Sequence, residues 1–427
     1  MSAPKASRSQ DYGISIDIGT SQITLHLVNI PESRVVEERL IPNPQNKIGL
    51  DVITRIAYAV KSGSNRTKMA EIVRQAIAEC IQDILQLSEL TSDSIDEVIV
   101  VGNTVMHHLF HGLSTAPLTK TPYTVLEKDP ISTTASALGL PLDVAYLYSP
   151  PIVESFVGPD ALMLLVASGA HESDERMVSI DVGTNTEVAV CNEGEVWLAS
   201  AASGPAFEGM SLDCGMPAEE GAIEHVRIRS DMSPDIKVIG GGRPRGLCGS
   251  GAISSVAALL DSGILTTSGS INREIRSTWL RRRESLFYYV LAEAKHSASS
   301  TGIYLSQMDL RMLQQSKASI FSAVTLLLAK AGLDPSDVER VFLTGAFGTG
   351  IDILDAYRIG LFPMFEHSKL QKVRGGAITG ADNLLCRPML RDKVETMCSK
   401  IDYVELAGNP EFKQRYVVAL PYSARLD

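Results

Sequence analysis

Two stretches of the chain share one pattern of apolar and polar positions. Residues 12–28 form two β-rich runs that meet at Gly19, and residues 177–190 repeat this pattern around Gly183. Apolar runs hinged at a glycine are typical of a strand, a tight turn and a second strand. The pattern therefore predicts two related β-hairpins.

A helix and a buried strand are predicted after each hairpin. Apolar residues recur at helical spacing over residues 67–88, and residues 96–102 form an apolar run that ends in glycine. The same elements recur as a helix over residues 320–331 and a strand over residues 338–345. This order of elements predicts an internal duplication.

The two halves differ in length. Asp17 and Asp181 are 164 positions apart, whereas Gly102 and Gly345 are 243 apart, so the second half carries about 79 additional residues. The proline- and glycine-containing stretch over residues 149–158 is expected to connect the halves. We therefore predict a disordered tail and two subdomains, over residues 1–11, 12–155 and 156–427.

One segment of the additional length is strongly basic. Arg281, Arg282 and Arg283 are consecutive, and they lie close to Trp279 within residues 273–284. A solvated helix face or loop is the ordinary interpretation of such a run, and a surface that docks a partner is the alternative.

Composition and charge exclude several classes of protein. The chain has 427 residues, of which 44% are hydrophobic, and more than one core is usual at this length. The formal net charge of -11 argues against a nucleic-acid binder, which needs a concentrated basic surface. Apolar stretches fall short of the roughly 20 residues of a bilayer span, and the polar first residues do not resemble a secretory signal. We expect a cytoplasmic protein without membrane contact.

The bends of the two hairpins have the residues best suited to bind a polyphosphate. Each contains Asp-x-Gly-Thr, at residues 17–20 and 181–184. Glycine lets the backbone approach an anion, N–H and hydroxyl groups donate to phosphate oxygens, and the aspartate can hold hydrated Mg²⁺. One such pattern is weak evidence, because aspartate and glycine are common in turns. Two copies in equivalent strand pairs predict a grip on a polyphosphate from both sides.

A third glycine-containing turn, over residues 345–348, follows the last buried strand. Ligands bind at the carboxyl ends of strands in open α/β sheets, and small residues there would leave a flat apolar slot for a base. A turn that enters a helix is the alternative. Because it is third in order after the two hairpins, we interpret it as an adenosine pocket.

This series of two phosphate hairpins and an adenosine motif resembles the superfamily of actin, sugar and acetate kinases and heat-shock ATPases. The resemblance implies an α/β, duplicated, ribonuclease-H-like fold with an ATP cleft between the two halves. More specific stretches resemble the ATPase domain of reductive activators of corrinoid proteins. They are residues 101–106, 199–209, 247–251, 309–319, 345–348 and 405–412.

The resemblance implies that ATP and Mg²⁺ drive one electron onto the corrinoid of a partner protein, returning Co(II) to Co(I) in a methyltransferase system. Asp17 and Asp181 are the implied metal ligands and catalytic carboxylates. The residues implied to bind phosphates are Gly19, Thr20, Ser21, Gly183, Thr184 and Asn185. Those implied to surround the nucleoside are Gly249, Ser250, Gly251, Gly345, Ala346 and Gly348.

Two further acidic residues are candidates for catalysis. Gly204 and Gly209 free the backbone around Glu208, so this stretch is expected to sense the nucleotide state. Glu208 itself is interpreted either as an acid near the cleft or as a structural cap. Asp160 lies where the chain is expected to cross between the halves, as residues that orient the attacking water do in related ATPases.

The chain departs from the family in its cysteines. Known activators carry an iron-sulfur domain, whereas the six cysteines here have no spacing typical of cluster ligands. We therefore expect no iron-sulfur cluster in this chain and a separate low-potential electron donor. A cluster shared across a dimer through Cys214 and Cys248 is the alternative, and the resemblance implies a homodimer.

Two other classes of function stay open on the sequence. A small-molecule kinase of the same superfamily would place a general-base aspartate in the cleft. An actin-like or chaperone-like assembly protein would use the nucleotide as a conformational switch.

Overall fold

The computed structural model describes residues 11–209, 211–345 and 350–422. The chain divides into two compact units, each with its own hydrophobic core. The first unit continues to Ser173 and also includes Gly376–Tyr403, while the second runs from Asp174 to Gly375 and resumes at Val404. This division differs from the boundary expected at residue 155. The expected tail lies outside the described residues except for Asp11.

A six-stranded sheet forms the centre of the first unit. Its strands pair in the order β3-β2-β1-β4-β6-β5. Strand β1 is antiparallel to β2 and parallel to β4, so the first hairpin and the buried strand that follows it are confirmed. The strands are β1 (Tyr12–Ile18), β2 (Gln22–Asn29), β3 (Arg34–Pro42), β4 (Ile95–Gly102), β5 (Ile131–Thr134) and β6 (Tyr146–Ser149).

Six helices belong to this unit among the described residues. They are α1 (Val52–Ala59), α2 (Gly63–Leu87), α3 (Thr104–His111), α4 (Pro159–Ser168), α8 (Gly376–Cys386) and α9 (Leu390–Cys398). Helix α2 confirms the predicted helix and starts earlier than expected, because the Ser62 side chain accepts a hydrogen bond from the Asn65 N–H and caps it. Helices α4 and α8 pack on each other, which explains why the first unit extends beyond residue 155 and regains residues from 376 onward.

The strands of the second unit repeat the order of the first sheet. They pair as β17-β16-β7-β8-β9, with β7 antiparallel to β8 and parallel to β16. Strand β7 thus takes the place of β1, and Asp181 takes that of Asp17. The predicted duplication and second hairpin are confirmed. These strands are β7 (Met177–Val182), β8 (Asn185–Asn192), β9 (Glu195–Ala202), β16 (Arg340–Gly345) and β17 (Leu370–Lys372).

Much of the additional length in the second unit folds into two small three-stranded sheets. Their strands are β10 (Ala222–Ile228), β11 (Pro234–Val238), β12 (Gly246–Leu247), β13 (Leu280–Arg283), β14 (Leu286–Ala292) and β15 (Ile303–Ser306). The helices of the second unit are α5 (Gly249–Asp261), α6 (Gln307–Lys330), α7 (Ile353–Ile359) and α10 (Pro410–Ala419). The two-residue strand β18 (Asp402–Tyr403) ends the segment that returns to the first unit.

The basic run differs from its ordinary interpretation. Arg281, Arg282 and Arg283 lie on strand β13, not on a helix face or a loop, and β13 pairs with β14. Three arginines in a row have neither helical nor alternating periodicity, so the pattern did not indicate a strand. In the ranges that the structure describes, no helix is both long enough and apolar enough to cross a bilayer.

The contact between α4 and α8 gives a test of the discontinuous first unit. A methyl group at Gly380 on α8 would overlap the carbonyl oxygen of Met163 on α4. We therefore expect Gly380→Ala to lower the free energy of unfolding by about 1–3 kcal/mol in chemical denaturation. Gly63→Ala is the control, because nothing lies within 4 Å of the added group, and it should change stability by less than about 0.5 kcal/mol. Equal stabilities of the two variants would contradict this packing.

Candidate nucleotide-binding site

The bend of the first hairpin is anchored through its main-chain carbonyl groups. Asn43 donates from Nδ2 to the carbonyl oxygen of Gly19 at 2.8 Å, and Asn46 donates to that of Ser21 at 2.9 Å. Gly19 leaves no room for a side chain, since a Cβ atom would lie 2.7 Å from the carbonyl oxygen of Gln22. The bend is therefore held tightly from the carbonyl side.

A buried arginine completes this anchor. Arg55 is 0% exposed, and its guanidinium donates to the carbonyl oxygen of Thr20 at 2.6 Å. It also donates to the side chains of Gln45 and Asn46 and to the carbonyl oxygen of Gly49, at 3.1, 2.6 and 2.9 Å. Burial lowers the pKa of Arg55 to about 10, so the group stays charged at neutral pH.

The side chain of the bend is fixed as well. Asn103 donates from Nδ2 to Thr20 Oγ1 at 3.1 Å, and its Oδ1 accepts from the Met106 N–H at 3.1 Å to cap α3. Gly102 precedes it at φ +155°, and a Cβ atom there would lie 2.7 Å from the carbonyl oxygen of Ile18. The ends of β1 and β4 are thus in close contact, next to half-buried Asp17.

Asp160 lies in the same region of the first unit. It is in the first turn of α4, after the N-cap residue Gly158, where a side chain would overlap the carbonyl oxygen of Gly102. Its Oδ1 accepts from the Ala161 N–H at 2.8 Å, and burial raises the pKa of the Asp160 carboxyl to about 6. Asp160 therefore lies on the helix whose start contacts the end of β4, and its place in the site stays a prediction. The sequence indicated a position where the chain crosses between the halves, whereas Asp160 lies within the first unit.

The second bend is anchored by different groups. Thr184 Oγ1 donates to Glu208 Oε2 at 2.6 Å, and the N–H of Gly204 donates to the carbonyl oxygen of Thr184 at 2.9 Å. Ser203 Oγ donates to the carbonyl oxygen of Gly183 at 3.0 Å. Glu208, interpreted from the sequence as either an acid near the cleft or a structural cap, is thus hydrogen-bonded to the bend itself. A movement of the bend would therefore displace this carboxylate.

The end of β16 lies against the acidic residue of the second bend. Gly345 has φ +67°, a left-handed conformation that favours glycine, and a methyl group there would overlap Asp181 Oδ1 and the carbonyl oxygen of Val182. The first glycine of the predicted adenosine motif is therefore next to the bend between β7 and β8. Ala346 and Gly348 lie outside the described residues.

Helix α5 has one glycine beside this site and one that serves packing. A side chain at Gly249 would overlap the carbonyl oxygen of Phe207, so the start of α5 contacts the turn that contains Glu208. Gly251 instead packs on the carbonyl oxygen of Ile223. Contacts of the nucleoside with Gly249, buried Ser250 and Gly251 stay predictions.

Sequence reasoning missed the anchoring residues of both bends. They are Asn43, Asn46, Arg55, Asn103 and Ser203. The only local signals are the turn-forming sequence Asn-Pro-Gln-Asn at residues 43–46 and an asparagine after a strand-end glycine at residue 103. Neither signal identifies a partner, because the contact from Asn103 to Thr20 spans 83 positions.

The carboxylates of Asp17 and Asp181 fit a hydrated magnesium ion that is bound mainly through the phosphate oxygens of a nucleotide. In the part of the chain that the structure describes, no three His, Cys, Asp or Glu side chains are grouped to hold a metal. Mg²⁺ usually keeps several waters and takes only one or two carboxylates in addition to phosphate oxygens. One half-buried aspartate beside a tight glycine bend in each unit matches that requirement.

The two cysteines considered for a shared cluster have inward contacts. Cys248 is 0% exposed, and its Sγ lies 3.2 Å from the carbonyl oxygen of Ile223. Cys214 is half-buried, and burial raises the pKa of its thiol. A fully buried Cys248 offers no surface for a cluster shared with another subunit.

Two family models match the chain. The C-terminal domain of RACo, described as the ASKHA domain, matches residues 175–425, and the RACo middle region matches residues 12–173. The limit between the two matches coincides with the structural division after Ser173.

Curated relatives and a solved structure are similar over most of the chain. The corrinoid activation enzyme RamQ of Eubacterium limosum is 31% identical over 95% of this chain and 70% of its own length. The [Co(II) methylated amine-specific corrinoid protein] reductase of Methanosarcina barkeri is 22% identical over 96% of this chain and 77% of its own. A reductive activator for corrinoid,iron-sulfur protein superposes with a TM-score of 0.88 at 31% identity, over 98% of this chain and 67% of that one. The expected actin-like and sugar-kinase-like fold is confirmed.

Replacement of Gly345 tests the geometry of the second bend. Gly345→Ala should weaken the binding of Mg²⁺·ATP by about tenfold or more, equivalent to 1.4 kcal/mol, because the methyl group displaces the Asp181 carboxylate. Isothermal titration calorimetry measures this change.

Gly332→Ala is the matched control. Gly332 has a similar φ of +69°, yet nothing lies within 4 Å of an added methyl group. It should show the cost of left-handed backbone, about 1–2 kcal/mol of stability, with unchanged nucleotide affinity. Equal affinities of the two variants would contradict the proposed place of Asp181.

Proposed function

The chain belongs to the RACo family, and we propose that it uses ATP to return the corrinoid of a partner protein from Co(II) to Co(I). The proposal is supported by relatives named as activators or reductases of corrinoid proteins. The main structural support is the repeated acidic bend, because Asp17 and Asp181 lie at equivalent positions in two sheets that share one strand order.

Both bends bind one Mg²⁺·ATP in this proposal. Asp17 and Asp181 hold the hydrated metal, and the N–H groups of the bends with the hydroxyls of Thr20 and Thr184 donate to phosphate oxygens. When held by these two carboxylates, Mg²⁺ would supply positive charge next to the phosphates as they are hydrolysed. The anchors behind each bend keep these donors in place before the nucleotide arrives, which limits the entropy lost on binding.

Asp160 and Glu208 have different tasks. Asp160 orients the attacking water and accepts its proton, in the role that a catalytic aspartate has in other phosphoryl-transfer enzymes. Glu208 is bonded to Thr184, so a change in what the second bend binds shifts the turn that contains Glu208. That turn would report the nucleotide state to the rest of the second unit.

The electron is supplied by a separate low-potential donor, which is oxidised by one electron as Co(II) is reduced to Co(I). Each ~59 mV by which the donor falls short costs about 1.4 kcal/mol for a one-electron transfer, so coupling to ATP is physically reasonable. The reaction takes place in the cytoplasm in this proposal, and a homodimer stays a prediction.

The test is the appearance of Co(I) in a corrinoid protein. The methylated amine-specific corrinoid protein in its Co(II) state serves as the probe, with a low-potential chemical reductant, and absorbance follows the cobalt state. We expect Co(I) only when this protein and Mg²⁺·ATP are both present. Asp17→Asn and Asp181→Asn should each slow its formation by about 100-fold with little loss of thermal stability, whereas Asp93→Asn, on an exposed turn, should have no effect.

Two results would contradict the proposal. One is Co(I) formation at the same rate without ATP. The other is ADP released in step with a phosphorylated small molecule, which would indicate a kinase.

The raised pKa of Asp160 predicts how hydrolysis depends on pH. Above about pH 6 the carboxyl is ionised and can accept a proton, whereas below it the carboxyl is protonated and cannot. The rate of ATP hydrolysis should therefore fall about tenfold per pH unit below 6. Asp160→Asn should be slow at every pH and show no inflection near 6. A wild-type profile that stays flat from about pH 7 to 5 would exclude Asp160 as the base.

A further inference from the structure

A concentrated cationic surface lies on the hairpin of β13 and β14. We name residues 273–288 the basic hairpin. It contains five arginines and two glutamates, in a chain whose formal net charge is -11. The arginine side chains are exposed, at positions 273, 276, 281, 282 and 283. The hairpin is thus a local exception to the acidic character of the protein.

Aromatic side chains hold part of this charge in place. The guanidinium groups of Arg273 and Arg282 lie 5.2 and 5.6 Å from the centre of the Phe287 ring. Such cation–π contacts restrict the side chains and reduce the entropy lost when a ligand binds. The rings of Tyr288 and Tyr304 are 5.1 Å apart on the neighbouring strands.

Two of the arginines, Arg276 and Arg283, make neither an ion pair nor a cation–π contact in the part of the chain that the structure describes. Arg281 donates to Glu293 at 2.6 Å, whereas Arg276 and Arg283 have no carboxylate within ion-pair distance among the residues described. Strand β13 is also an edge strand, since the sheet order is β13-β14-β15. Charges on an edge strand, lysine above all, protect it against unwanted pairing. Arginine with aromatic residues is instead the composition of protein interfaces.

The sheet of the basic hairpin is connected to the turn that senses the nucleotide. Residue Gly209 follows Glu208, and Gly215 packs directly on the Gly209 carbonyl oxygen. Next to it, Cys214 Sγ contacts the carbonyl oxygen of Gly302, just before β15. A chain of packed contacts therefore leads from the second bend to the sheet of the hairpin.

We infer that the basic hairpin docks an acidic face of the corrinoid protein, an assignment that rests on the proposed function. Guanidinium groups bind carboxylates in a bidentate way, and five arginines on one short hairpin match a local cluster of carboxylates. A long polyanion such as nucleic acid would extend beyond the hairpin onto an acidic protein and be repelled there. The acidic protein partner is therefore the favoured occupant.

The experiment reverses the charge of the two arginines that make neither an ion pair nor a cation–π contact among the described residues. Arg276→Glu/Arg283→Glu is compared with Lys61→Glu/Lys68→Glu, which makes the same change of charge at exposed positions of the first unit. The probe is the methylated amine-specific corrinoid protein in its Co(II) state, and the association rate is measured at about 50 and 500 mM salt. ATP hydrolysis without the probe is measured in parallel.

We expect the arginine variant to associate about tenfold more slowly at low salt, with a smaller difference at high salt. The lysine control should stay within about twofold of the wild type, and hydrolysis without the probe should be unchanged in both variants. Arg276→Lys/Arg283→Lys should restore most of the rate, since it restores the charge.

Three outcomes would overturn the assignment. Equal slowing in both charge variants would show that only net charge matters. Normal association of the arginine variant, with a changed oligomeric state in size-exclusion chromatography, would make the hairpin a contact between copies of this chain. No association of the wild-type protein at all would overturn the proposed function together with the docking surface, whereas the first two outcomes leave that function intact.

Discussion

The conformation of the bend between β1 and β2 depends on one buried cation, Arg55. Arg55 has no exposed surface, and it donates to four amide and carbonyl oxygens around the bend and to the sulfur of Met106. A buried charge is costly unless its hydrogen bonds are satisfied, so this arrangement is stable only while the bend keeps its present shape. The cost of the buried charge thereby selects one conformation of the bend. Its carbonyl groups are occupied by protein donors, and its N–H groups can serve an anion.

The bend of the second unit is also held in place, but by different residues. Its bend is bonded to Glu208 and Ser203, which come from the segment after β9, and its acidic residue is confined by Gly345. The first bend is tied to a rigid buried network, whereas the second is tied to a turn that continues into the small sheets of the second unit. The duplicated scaffold thus holds its two equivalent bends by different contacts, and in the proposed function the second bend both binds the nucleotide and reports on it.

The sequence predicted the elements that are determined by local patterns of apolar residues and glycines. Both hairpins, the helix α2 and the strand β4 follow from apolar spacing and glycine positions, and the repeat of these elements predicted the second half. It could not predict the anchors, because Arg55 and Asn103 reach Thr20 across 35 and 83 positions. Nor could it predict that α8 returns to the first unit, since the packing of Gly380 on Met163 leaves no local signal. Nor did the sequence predict that the run of arginines forms a strand, because the strand is defined by its pairing with β14 and not by a local pattern.

The proposed function requires that Asp17 and Asp181 act on a single magnesium triphosphate. A double-mutant cycle by calorimetry with Mg²⁺ and a non-hydrolysable ATP analogue tests it most directly, using the two Asp→Asn variants and their combination. Two carboxylates that share one ligand should show a coupling free energy of about 1 kcal/mol or more. Additive losses, or affinities unchanged from the wild type, would contradict the account.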